Sequence, residues 1–131
     1  MPYYSIYFFL LKRKKIEYAT EKFGHAFEHF IYMELIAHAH YSGKRYPIHY
    51  WCTSSQFEVD FVLGDHEVVI EVKSTNNVLP KHMKGLHAFN DEYKTKINII
   101  VSTDPQPRQI GKVLILPWKI FLERLWGDEI V

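Results

Sequence analysis

Two stretches of two-residue periodicity, seven residues each and only three residues apart, most limit the folds open to this chain. In Phe57 to Leu63, the apolar Phe57, Val59, Phe61 and Leu63 alternate with Glu58, Asp60 and Val62. In Glu67 to Lys73, Val68, Ile70 and Val72 occupy one set of alternate positions, and Glu71 and Lys73 fall in the other. Alternation at this period is the pattern of a strand with one buried face. Gly64-Asp65 supplies turn chemistry between them, so the pair reads as a β-hairpin.

The length of the hairpin loop decides what its side chains can do. A two-residue loop sets Asp60 opposite Val69 and diagonal to Glu71, and a four-residue loop sets it directly opposite Glu71. A three-residue loop sends the two carboxylates to opposite faces. Either even loop brings Asp60 and Glu71 together. Lys73 then joins them, because strand residues two apart project to the same side roughly 6.5 Å apart. Two converging carboxylates repel each other, and a cation between them relieves the repulsion. Oxygen ligands without a nearby cysteine or histidine favour Mg²⁺ or Mn²⁺ over zinc. With the metal lowering the pKa of a bound water, and Lys73 acting on that water and on phosphate charge, the chemistry suits a phosphodiester.

The surrounding pattern places this hairpin in an α/β chain. Glu17 to about Ala39 lacks proline and repeats Phe23, Phe27, Phe30, Ile31 and Leu35 at helical intervals. On that helix Glu28 shares a side with Gly24, Ile31 and Leu35 and is expected to face the hairpin. Glu34, among Phe23, Phe27 and Phe30, is the competing acid or a structural partner for a nearby base. Ile48 to Cys52 reads as a short strand with Cys52 buried, and Lys81 to Tyr93 as a helix. The nearly all-apolar Ile97 to Ser102 reads as a strand covered on both faces. Thr103 to Arg108, with two prolines, is a loop, and a strand at Val113 to Leu116 and a helix at Trp118 to Trp126 close the chain. The order αβββαβ, with a strand and helix appended, predicts a mixed sheet flanked by helices, with a right-handed crossover between the hairpin and Ile97 to Ser102.

Asp60 followed by Glu71-Val72-Lys73 at a strand end resembles the D…(D/E)xK signature of the PD-(D/E)XK nuclease superfamily, whose restriction-endonuclease-like core has the same αβββαβ order. Glu28, in Gly24-His25-Ala26-Phe27-Glu28, stands where many of these nucleases carry an additional acid. More narrowly, the chain is similar to the C-terminal domain that follows the ATPase module in a group of prokaryotic AAA-type ATPases. That likeness rests on Gly24 to Leu35, Tyr50-Trp51, Glu58 to Leu63, Ile70 to Lys73 and Leu116-Pro117. The resemblance implies a Mg²⁺- or Mn²⁺-dependent endonuclease acting on DNA, with Asp60 and Glu71 as metal ligands, Lys73 as catalytic lysine and Glu28 as auxiliary acid. The alternative it leaves open is a non-catalytic module that docks nucleic acid or a protein partner for an ATPase. A third is a fragment whose exposed former interface forms a homodimer. The chain departs from the superfamily pattern in carrying Val59 where a proline usually precedes the aspartate. It also has no G-x-x-x-x-G-K-[ST] loop, so ATP hydrolysis by that route is excluded.

Size and charge restrict the remaining choices. The 131 residues suffice for one core, expected over residues 17–131, with residues 1–16 a leader or the remnant of a preceding region. Net charge is +1, so any DNA contact must come from a local patch, such as Lys12 to Lys15 or Lys81 and Lys84, and not from the whole-molecule field. A single cysteine excludes an intramolecular disulfide. The apolar run Tyr3 to Leu11 is too short to span a bilayer, and its basic residues follow it, opposite to a signal peptide, so a cytoplasmic chain without membrane contact is expected. His25 and His29 share a helix face but lack further ligands at zinc spacing, and Tyr50, Trp51, Trp118 and Trp126 suit core packing better than base stacking.

Overall fold

A computed structural model describes residues 21–131 of the chain. The expected leader and Lys12 to Lys15 lie outside the described residues. The elements run α1 (Glu21–Tyr41), β1 (Ile48–Cys52), β2 (Glu58–Leu63), β3 (Val68–Val72), a 3-10 turn (Pro80–Met83) leading into α2 (Lys84–Glu92), β4 (Ile97–Ser102), β5 (Arg108–Ile110), β6 (Val113–Pro117) and α3 (Trp118–Trp126). They form one six-stranded sheet in the order β1-β2-β3-β4-β6-β5. β1, β2 and β3 pair antiparallel, β3, β4 and β6 pair parallel, and β5 returns antiparallel along the far edge. The α/β architecture with a mixed, helix-flanked sheet is the one expected, and β4 lies beside β3 in the same sheet.

Side-chain alternation sorts the sheet residues between two cores. Phe61, Leu63, Val68, Ile70, Ile99, Val101 and Leu116 pack with Phe27, Phe30, Ile31 and Leu35 of α1 and Phe121, Leu122 and Leu125 of α3. The opposite face, with Val62, Val69, Ile100 and Ile115, is covered by Met83, Leu86 and Phe89 of the 3-10 turn and α2. Each fully buried side chain of this size contributes about 1.5–3 kcal/mol. Together they clamp the central strands β2, β3 and β4 from both sides.

Buried polar side chains tie the α1–α3 layer shut. Glu34 has a structural partner: it is 2% exposed and accepts a hydrogen bond from the Trp126 indole at 3.0 Å. Burial raises its pKa, and the indole bond partly offsets the rise. Next to it His38, 1% exposed, sits 2.8 Å from the Tyr46 hydroxyl and 2.8 Å from Asp128 Oδ1, pinning the segment after α3 onto α1.

Several expectations need correction, among them core packing of Tyr50, which is 59% exposed on the edge strand β1. Arg108–Ile110 is a strand and not the end of a loop: Gly111, at φ 59°, closes a tight turn onto β6. Lys81 to Tyr93 is split, its first turn being 3-10, because Pro80 starts the segment before α2 proper. Cys52 is exposed, since β1 is an edge strand whose inward position at this end is filled by Trp51 against Phe89 at 5.1 Å.

Candidate active site at an interrupted strand pair

The β2–β3 loop is the four-residue alternative. Leu63 pairs Val68, Val62 pairs Val69 and Phe61 pairs Ile70, so the next position sets Asp60 opposite Glu71. There the backbone ladder is replaced by side chains. The Asp60 N–H donates to Glu71 Oε1 at 2.8 Å, and the Val72 N–H donates to Asp60 Oδ2 at 2.7 Å. Each carboxylate thereby takes the place of a strand carbonyl. Asp60 Oδ1 makes no hydrogen bond among the described residues, and Glu71 Oε2 lies 3.3 Å from Lys73 Nζ.

A bulge aims Asp60. On the β1 side His49 pairs Val62, whereas Trp51 pairs Val59, so Tyr50 faces two residues of β2, Asp60 and Phe61. An extra residue in one strand breaks the two-residue alternation and bends the strand. Hence Val59 packs in the α2-side core and Phe61 in the α1-side core, where plain alternation puts both on one face. Phe57, the fourth member of that expected apolar face, is 40% exposed and precedes the strand. The displaced Asp60 opens towards α1, into a cleft of about 570 Å³ that Glu28 also lines. The two carboxylates therefore meet in the gap between strands and not on one flat face.

Helix α1 brings Glu28 to the same place. Gly24, one turn earlier, faces Ser74 just beyond Lys73, with a Cβ there falling 3.5 Å from Ser74 Oγ. Glu28 feels the charges of Lys73, Glu58 and His25, and raises the pKa of Asp60 in turn. Among the described residues, no group of three or more His, Cys, Asp or Glu is placed to hold a metal. The oxygen set is therefore the pair Asp60 and Glu71, with Glu28 in electrostatic reach. Two carboxylates, with waters and substrate phosphate taking the other positions, are an ordinary protein contribution to a Mg²⁺ site.

Electrostatics at the pair resist ionisation. Burial, then the Glu71 charge, push the Asp60 pKa up to about 8, while the Val72 N–H and Lys73 only partly oppose this. Burial likewise raises Glu71, against the pull of Lys73 and the Asp60 N–H. A carboxyl whose folded pKa exceeds its unfolded value binds more protons when folded, so its stabilising contribution is present at low pH and lost as pH rises through the folded value. The metal-free protein is therefore expected to lose stability from about pH 4 to about pH 8, at up to about 1.4 kcal/mol per pH unit for one proton. Divalent metal, which takes the ionised pair, is expected to raise Tm more at pH 8 than at pH 5. Carboxyl-carbon NMR titration checks the cause directly: Asp60 and Glu71 both titrating at ordinary values without metal would show that the groups do not repel.

The remaining sequence candidates separate cleanly. His25 and His29 line the cleft beside Glu28, and the His25 charge lowers the Glu28 pKa against the larger effect of burial. Trp118 packs edge-on against Phe30 at 5.8 Å, and Trp126 bonds Glu34, so these indoles serve the core. Burial first, and then the charges of Lys73 and Lys81, lower the pKa of His82, so positive charge extends from Lys73 to Lys81. Two further participants are not singled out as site residues in the sequence. Glu58 raises the pKa of both Glu28 and Glu71 and accepts a hydrogen bond from the Tyr50 hydroxyl at 2.6 Å. His49 enters the cleft only because β1 lies beside the bulge.

The fold and the carboxylate–lysine cluster define an α/β domain with an acidic site at a break in its sheet. The sequence profile of DUF4143, a domain of unknown function, matches residues 23–121, and the chain belongs to that family. Searches of the curated proteins and of the solved structures return no match. Among the described residues no helix is long and apolar enough to cross a membrane.

Proposed function

We propose that this chain is a nuclease-like domain of the PD-(D/E)XK kind that hydrolyses DNA phosphodiesters with Mg²⁺ or Mn²⁺. One observation carries the reading: two facing carboxylates with raised pKa values, the buried Glu71 and the half-buried Asp60, stand beside Lys73, and Asp60 lines a cleft. A fold keeps such a pair at a cost in stability, and perturbed groups of this sort concentrate at functional sites.

Asp60 and Glu71 would hold the ion through the oxygens that the strand N–H groups leave free. The bound metal would lower the pKa of a coordinated water and offset phosphate charge. Lys73, 38% exposed and anchored by Glu71, positions the attacking water and stabilises charge on the phosphate oxygens. Glu28, whose pKa burial raises, is suited to relay a proton at the edge of the cleft. In the reaction the water oxygen forms a new bond to phosphorus, and the ester oxygen leaves with its bonding pair and takes up a proton. The products are a phosphate monoester and a free hydroxyl end.

An ATPase is the protein partner this reading expects, because the likeness to the domain that follows an ATPase module covers the same stretch as the family profile. The direct test is cleavage of linear, branched and single-stranded DNA. Mg²⁺ or Mn²⁺ should support turnover, and Ca²⁺ should support binding with little turnover. Equal DNA binding with and without metal, and no cleavage of any substrate in Mn²⁺, would replace the nuclease by a binding module.

A further inference from the structure

The cleft that Asp60 and Glu28 enter is walled mainly by rings. His25, His29 and Tyr32 come from α1, His49 and Tyr50 from β1, and Phe61 from the bulge. Its volume of about 570 Å³ lies within the roughly 300–1,000 Å³ typical of pockets that enclose a small organic ligand. Tyr32 lies parallel over Phe61, with centroids 5.7 Å apart and planes 3° apart, yet remains 39% exposed. Tyr50 is 59% exposed at the rim, its hydroxyl tethered by Glu58. Large rings left open to solvent in one concavity, beside a site for phosphate chemistry, call for a flat, polar-edged occupant.

We infer that this cleft takes an unpaired nucleobase next to the scissile phosphate, so that the domain engages single-stranded or splayed DNA in preference to intact duplex. The inference rests on the phosphodiester reading of the carboxylate pair and adds the substrate form. A base within a duplex is stacked and paired and cannot enter a concave pocket without being extruded, whereas a single strand presents its bases freely. Tyrosine and imidazole faces stack on any base, so the preference is for strandedness and not for sequence. Because Asp60 forms part of the wall, a base seated there keeps its phosphate next to the carboxylates.

Binding of 2-aminopurine-labelled oligonucleotides to the 131-residue protein in Ca²⁺ tests this without turnover. A single strand should bind at least about tenfold more tightly than the blunt duplex of the same sequence, with quenching of the probe. Tyr50→Ala and Tyr32→Ala should each weaken single-strand binding by about tenfold and reduce the quenching, while Tyr50→Phe retains both. Tyr50 sits exposed on an edge strand, so its replacement should leave Tm unchanged and separates loss of stacking from loss of fold. Equal affinity for duplex and single strand, or an alanine variant at Tyr50 that binds single strands like the parent, overturns the inference. Single-strand binding through Tyr50 without any cleavage in Mn²⁺ would retain it and remove the nuclease reading instead.

Discussion

Lys73→Ala is expected to reduce Mn²⁺-dependent DNA cleavage by at least about a hundredfold, the size of effect seen when one charge-stabilising donor is lost from an active site. The ammonium group lies 3.3 Å from Glu71 Oε2 and does not bond Asp60, which the Val72 N–H holds, so both carboxylates stay in place when it is removed. Metal affinity should therefore be largely spared. Asp60→Asn should behave differently and lose both metal binding and cleavage, because one of the two proposed anionic ligands becomes neutral. Its fold should survive, since a carboxamide oxygen can still accept from the Val72 N–H. Moreover, with one of the repelling charges gone, metal-free Asp60→Asn should show a flatter decline of Tm between pH 5 and pH 8 than the parent. Isothermal titration with Mn²⁺ and thermal melts across that range separate the two variants. A Lys73→Ala protein that cuts at the parental rate would exclude the lysine from the chemistry.

Gly85→Ala is expected to lower stability by about 3 kcal/mol, or Tm by about 10 °C. Alanine improves helix propensity by about 1 kcal/mol, which alone predicts a gain. Against this, a methyl at Gly85 would overlap the carbonyl oxygen of Glu58 in β2. The obstacle is strand backbone and not the end of a flexible side chain, so relief requires α2 to move away from the sheet. That movement would loosen Met83, Leu86 and Phe89 over Val59 and Val62, two residues or fewer from Asp60. Cleavage should fall with stability if the position of β2 matters to the site. An unchanged or higher Tm would show that α2 does not approach β2 this closely.

What the sequence by itself determined about this protein was the period of each element and hence its partners in the core. The alternation of Val68, Ile70 and Val72 assigned β3 a face, and the helical recurrence of Phe27, Ile31 and Leu35 did the same for α1. The spacing of Asp60 and Glu71 reduced their relation to a question of loop parity, which the four-residue loop settles. Tertiary structure decided the rest, because each missing feature depends on a chain segment remote in sequence. The bulge at Asp60 and Phe61 exists only against Tyr50 of β1, and it turns Asp60 into the cleft with Glu28, which plain alternation does not foresee. Glu58 joins the electrostatics, and Gly85 becomes irreplaceable, only when α1 and α2 close on opposite faces of β2. Glu34, a site candidate by type, is claimed by Trp126 from the far end of the chain. Periodicity records which side of an element is apolar, but convergence of charges and the shape of a cleft depend on contacts between elements that no local pattern encodes.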